Sequence, residues 1–171
     1  MDSVPFHAIP DPPPAIGAGQ ILSRMADGIG FRFRWATEGL RDADIGFRPA
    51  KDCKTLGELL MHVMGLLSWV ADNLGMEPRW ELMKSTELGV VRERILELAI
   101  QLSSRFKAMS EADLLLVTIG ATKEEVLPVW NIVNGPLSDS LTHIGQILSW
   151  RRMAGNPALQ ADVFRGKPPK A

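Results

Sequence analysis

The segment Glu58 to Trp69, ELLMHVMGLLSW, recurs as DSLTHIGQILSW from Asp139 to Trp150, with acid, histidine, serine and tryptophan in register. Leucine matches between two such segments mean little, because apolar residues every three or four positions mark any helix with one buried face. The pairs Glu58 with Asp139, His62 with His143, Ser68 with Ser149 and Trp69 with Trp150 do not follow from that rhythm. The chain has three histidines, and only His7 lies outside the two copies. An acid one helical turn before a histidine places both side chains on one face. Two such faces meeting inside a bundle would bring a carboxylate and an imidazole from one helix against an imidazole from the other. That donor set suits a divalent metal with a position left open for water or substrate.

A chain of 171 residues can bury one proper core without disulfide or metal staples. The lone Cys53 cannot form an internal disulfide, and no charged segment followed by an apolar run opens the chain. The expectation is a cytoplasmic, bacterial-type protein. Arg, Asp, Glu and Lys interrupt every apolar run well short of a membrane span, so a soluble protein is expected. The formal net charge is -1 and the cations are scattered, which removes the electrostatic footprint of a nucleic-acid binder. The closest cationic pairs in the helices, Arg32 with Arg34 and Arg151 with Arg152, read as solvated surface or salt-bridge partners.

Residues 1–16 form an extended arm, since Pro5, Pro10, Pro12, Pro13 and Pro14 exclude helix and central strand. The arm either wraps the domain or stays free, and its His7 is incidental. A helical domain covers residues 17–157, and residues 158–171 form an extended tail. The first helix runs from about Ala18 to Leu40 on Leu22, Met25, Ile29, Phe33 and Ala36, with Gly28 and Gly30 signalling a close crossing or room for a ligand. After an ordered loop from Asp42 to Lys54, Thr55 and Glu58 form a capping box that starts a second helix, and Gly75 stops it. Its core row is Leu56, Leu59, Leu60, Val63, Leu67, Val70 and Leu74; Leu66 and Trp69 add a second apolar flank that places His62 inside. Ser85 or Thr86 caps a third helix reaching about Met109, with Arg92, Glu93, Arg94 and Glu97 mostly outward. Ser110 to Gly120 reads as irregular or briefly extended with no obvious pairing partner. Helix resumes by about Pro128, and Asn134, Gly135 and Pro136 kink it or start a new one. The last helix has a core row of Leu137, Leu141, Ile144 and Leu148 and stops at Gly155, Asn156 and Pro157.

On the last helix Asp139, His143 and Gln146 share one stripe, which either faces solvent or lines a pocket closed by Trp69, Trp130 and Trp150. We favour the pocket. Taken singly, His62 is a hydrogen-bonded core histidine and Asp139 an acid favoured by the helix dipole. Taken with His143 they make a metal site. Glu58 is accounted for by its capping box, and Gln146 reads as a support for a ligand or a donor to substrate. Cys53, between Lys51 and Lys54 but beside Asp52, reads as a half-buried filler. No nucleophile motif or phosphate-cradling loop is present, and the GIG at Gly28 to Gly30 lies within a helix.

Two stretches, LRDADIGFRPAKDCKTLGELLMHV and NGPLSDSLTHIGQILSWRRMAGNP, resemble the two signatures of the DinB/YfiT superfamily of metal-dependent proteins. The likeness runs from about Gly17 to Pro168. It implies an all-α four-helix bundle with His62, Asp139 and His143 as metal ligands, Asp139 standing where most members have a histidine. A carboxylate there suits Zn, Ni, Fe or Mn without selecting among them. The resemblance also implies a homodimer. Its relatives include transferases and isomerases that use low-molecular-weight thiols, and its DNA-damage name implies no DNA contact.

The leading expectation is a metalloenzyme acting on a small molecule, either a hydrolase or a thiol transferase, with metal-bound water or a substrate thiolate as nucleophile. The competing expectation is a non-catalytic dimeric module that binds a small molecule or serves a stress response, with a structural metal or none.

Overall fold

The computed structural model describes residues 4–77, 87–120, 122, 124 and 126–170. It is mostly helical, in keeping with an all-α fold, and its only sheet among the described residues has two short strands. Helix α1 spans Ala18–Thr37, α2 Leu56–Asn73, α3 Leu88–Lys107 and α6 Ser138–Met153. Helix α1 packs along α3, and α2 packs against both α3 and α6, so the apolar rows of all four meet in one core. No helix among the described residues is long and apolar enough to cross a membrane.

Helix α1 ends three residues earlier than its apolar rhythm suggests, because Gly39 turns the chain at φ 69°. Neither reading of Gly30 holds. A Cβ on that residue would lie 2.4 Å from the ring of Phe6, so the glycine makes room for the N-terminal arm. The arm wraps the domain. Phe6 is buried, Arg34 Nη1 donates to the Val4 carbonyl at 2.6 Å, and Trp35 Nε1 donates to that of His7 at 3.2 Å. Ile9 N–H then meets the Gly166 carbonyl at 2.9 Å, joining arm to tail.

Cations expected on the surface prove to be buried where they close helix ends or cover the core. Arg34 is buried beneath the arm, and Arg94 is buried with one guanidinium nitrogen on Glu97 at 2.6 Å. Arg151 is buried because it donates to the carbonyls of Ala36, Glu38 and Asn156, the first two of which lie at the end of α1. Burial pushes its guanidinium pKa down.

Helix α2 begins as expected: Glu58 N–H donates to Thr55 Oγ1 at 3.1 Å and Thr55 N–H to Glu58 Oε2 at 2.7 Å. Gly75, at φ 66°, lies just past its end. The expected caps of α3, Ser85 and Thr86, lie outside the described residues; Glu87 occupies the cap position, and its side chain does not cap the helix. Ser110 to Gly120 is briefly extended only at Thr118–Ile119, where it does find a pairing partner, and helical before that. Ser110 caps helix α4, Glu111–Leu116, in a capping box with Asp113, and β1, Thr118–Ile119, pairs antiparallel with β2, Leu127–Pro128. Pro128 is thus a strand residue, and helix resumes at α5, Trp130–Ile132. A wide turn, Val133–Leu137, with Gly135 at φ −90° and ψ −111°, then kinks the chain into α6.

The buried row of α6 also differs from expectation. It comprises Leu137, Ser140, Ile144, Ile147 and Arg151, whereas Leu141 and Leu148 are half-buried on the flank beneath the C-terminal tail. That rotation brings the next stripe, with Asp139 and His143, to the boundary with α2.

Candidate metal centre

Helix α2 presents His62 beside its buried row, next to Val63 and Leu59, on the edge that meets α6. The imidazole is not inside: its side chain is 38% exposed, because the neighbouring faces open into clefts. The start of α6 is held by hydroxyls that occupy carbonyls around the kink. Ser138 Oγ donates to Val133 O at 2.6 Å and Ser140 Oγ to Pro136 O at 2.7 Å. Near the other end of α6, Trp150 Nε1 donates to the Lys54 carbonyl at 3.0 Å, tying the helix to the loop before α2. These contacts set the register that puts Asp139 opposite His62.

Asp139 stands between the two imidazoles. Its Oδ2 lies 3.5 Å from His62 Nε2 and its Oδ1 3.3 Å from His143 Nε2. The rings are 4.5 Å apart at 82°, and one ligand atom from each of the three residues lies within 4.8 Å of the others. Both nitrogen–oxygen distances exceed an ordinary charge-assisted hydrogen bond. Asp139 reaches the two imidazoles through different oxygens, and the three side chains form a group that could hold a metal ion.

His143 Nδ1 is 2.7 Å from Gln146 Oε1, an amide oxygen that accepts; in the neutral tautomer that donates to it, Nε2 carries the lone pair. In that tautomer Nε2 and Asp139 Oδ1 are both acceptors, and either a proton or a metal ion between them relieves the repulsion. His143 is the best sheltered of the three, at 12% side-chain exposure, so its orientation is fixed by packing as well as by Gln146.

The structure thus brings His62, Asp139 and His143 together, with Gln146 behind one ligand. Glu58 stays out of the cluster: hydrogen bonds from the Thr55 backbone and hydroxyl hold its carboxyl below the usual range, in the capping box. The expected ring of tryptophans does not form. Trp69 lines a cleft at His62, but Trp130 is 67% exposed and lines no cleft at the cluster, and Trp150 is on the Lys54 carbonyl. His7 packs edge-on to Trp35, away from the site.

His62 belongs to two clefts. One, of about 750 Å³, runs toward the loop before α2 past Glu58, Cys53, Lys54 and Arg48. The other, of about 640 Å³, lies between Trp69, Gly65, Gly135 and Asp139. Sequence reasoning missed Gly65, although a mid-helix glycine one turn from a candidate ligand is a readable sign of space. A Cβ there would meet nothing within 4 Å. Comparison with protein-family models, curated proteins and solved structures finds no match to this chain.

Proposed function

We propose that the protein is a metal-dependent enzyme of the DinB/YfiT type, with α1, α2, α3 and α6 as that family's four-helix bundle. His62, Asp139 and His143 would hold one divalent cation, and the substrate is a small molecule. The observation that carries this reading is the convergence of three donor atoms within 4.8 Å, with Gln146 Oε1 2.7 Å behind the His143 ring. Such an ion would act as a Lewis acid for hydrolysis or would hold a low-molecular-weight thiol as nucleophile. The chain's own part is to orient and admit. Asp139 uses its two oxygens toward two different histidines, Gln146 keeps the His143 lone pair aimed inward, and the clefts on either side of His62 give substrate a way in. Zn, Ni, Fe and Mn are the metals this donor set suits. A homodimer in the cytoplasm belongs to the same reading.

The test is metal content. Protein purified in each metal, then desalted, is expected to keep about one equivalent, lost in His143→Ala and in His62→Ala while both variants stay folded. No retention of any of the four metals overturns the proposal and leaves a non-catalytic binding module. With metal bound, a panel of thiols and of ester and amide substrates, run with and without chelator, separates transfer from hydrolysis.

A further inference from the structure

We infer that the cleft between His62 and the loop before α2 is a subsite for an amphipathic small molecule, holding its anionic end on Arg48 and Lys54. This deepens the function proposed above by naming the class of substrate, and the binding it asserts needs no metal.

Some cations elsewhere in the protein have an acid for company: Arg41 meets Asp44, Arg92 meets Glu38, Arg94 meets Glu97 and Arg165 meets Asp162. Arg48, Lys51 and Lys54 all line one cleft, and none forms an ion pair among the described residues. Arg48 gives one nitrogen to the Lys51 carbonyl at 3.1 Å, which anchors the guanidinium over the loop and leaves its other donors uncommitted. Two acids share the cleft, Asp52 and Glu58. Glu58 is engaged by the Thr55 N–H, and Arg48 and Lys54 are among the groups that lower its pKa, so their field reaches across the cleft.

The other wall is apolar. Ile45, Leu60, Met61, Leu88 and Val91 face the same space, and at about 750 Å³ it has the size of a small-molecule site. A ligand with a carboxylate or phosphate at one end and a hydrocarbon body would match both walls. With its anion at Arg48 and Lys54, its far end would reach His62, which lines the same cleft.

Binding of 4-phenylbutyrate, its neutral amide 4-phenylbutyramide, and phenyl phosphate to chelator-treated protein tests this, read by amide shifts in NMR titrations. At least one of the two anions is expected to bind threefold or more tighter than the amide. That preference is expected to shrink in 0.5 M salt and to vanish in Arg48→Gln/Lys54→Gln, both exposed positions. It is expected to survive in His143→Ala, which separates this subsite from the metal site. Equal binding of acids and amide, no binding of any probe at millimolar concentration, or an unchanged preference in the double variant would overturn the inference.

Discussion

Replacing Gln146 by leucine isolates what holds His143 in its ligand form. In the proposed site the amide oxygen of Gln146, 2.7 Å from Nδ1, accepts from the neutral ring and leaves the Nε2 lone pair toward Asp139. Leucine is similar in size and in helix preference and sits well at this half-buried position, so the fold should be unaffected. Without the acceptor, the proton is free to move to Nε2, where it would donate to Asp139 Oδ1 at 3.3 Å and block the ligand. Losing such an outer partner costs about 10- to 100-fold in metal affinity, or about 1.4 to 2.7 kcal/mol. Zinc affinity, measured by competition with a chromophoric chelator at fixed pH and salt, is expected to fall by that factor. Gln146→Glu keeps an acceptor and makes it a stronger one, so it should bind at least as tightly as the native protein. In a His143→Ala background the leucine change should add nothing, since the two residues act through one contact. A leucine variant within twofold of the native affinity, or one indistinguishable from the glutamate variant, refutes the tautomer argument.

Gly65→Ala should stabilise the protein by about 1 kcal/mol in urea unfolding, since an added Cβ meets nothing within 4 Å, and should leave metal content unchanged. A destabilised variant would mean that the space beside the cluster is not open. Gly30→Ala pushes a Cβ to 2.4 Å from Phe6 and should expel the arm, losing ~1.5 to 3 kcal/mol of buried aromatic against about 1 kcal/mol gained in helix preference. Limited proteolysis should then cut within residues 4–16 while the helices resist; an arm that stays protected contradicts the packing described here. Hydrogen bonds from Arg41 and Asn156 hold the buried Asp44 carboxyl far below the usual range. Because the folded pKa is the depressed one, its contribution is complete above about pH 5 and is lost progressively as pH falls below the ordinary carboxylate value of about 3.9. Asp44→Asn should cost about 1.5 to 3 kcal/mol at pH 7, and the gap to the native protein should narrow progressively as pH falls below about 4. A gap constant with pH would show that charge at Asp44 does not matter.

What could be read from residue order alone is what depends on near neighbours. The rows of α2 and α3, the Thr55–Glu58 capping box and the stop at Gly75 are all settled within one or two turns, and all appear where expected. The box at Ser110 and Asp113 has the same form, but the LLLVTIG that follows it has the composition of a strand and masks it. The candidate cluster was legible for a related reason. Asp139 and His143 meet through helix geometry alone, and only one further contact, between α2 and α6, was needed to add His62. Repeating acid, histidine and tryptophan in both helices marked which faces those were. It did not distinguish the two acids, which part company through their surroundings: Glu58 is held by the Thr55 cap, whereas Asp139 follows a kink whose carbonyls are taken by Ser138 and Ser140.

Arg34, Arg151 and Gly30 share one property: their partners are distant in sequence and are backbone atoms or the arm. Arg151 looks like surface until the carbonyls of Ala36 and Glu38, left open at the end of another helix, are seen to need donors. Gly30 looks like room for a ligand until Phe6 fills it. A carbonyl carries no side-chain signature, and an arm rich in proline has no period, so neither leaves a trace in the pattern of apolar and polar residues. The basic rim of the cleft leaves as little trace in the sequence. Arg48, Lys51 and Lys54 are an unremarkable loop in sequence, and become a candidate anion site only when α3 supplies the apolar wall of Leu88 and Val91 opposite them.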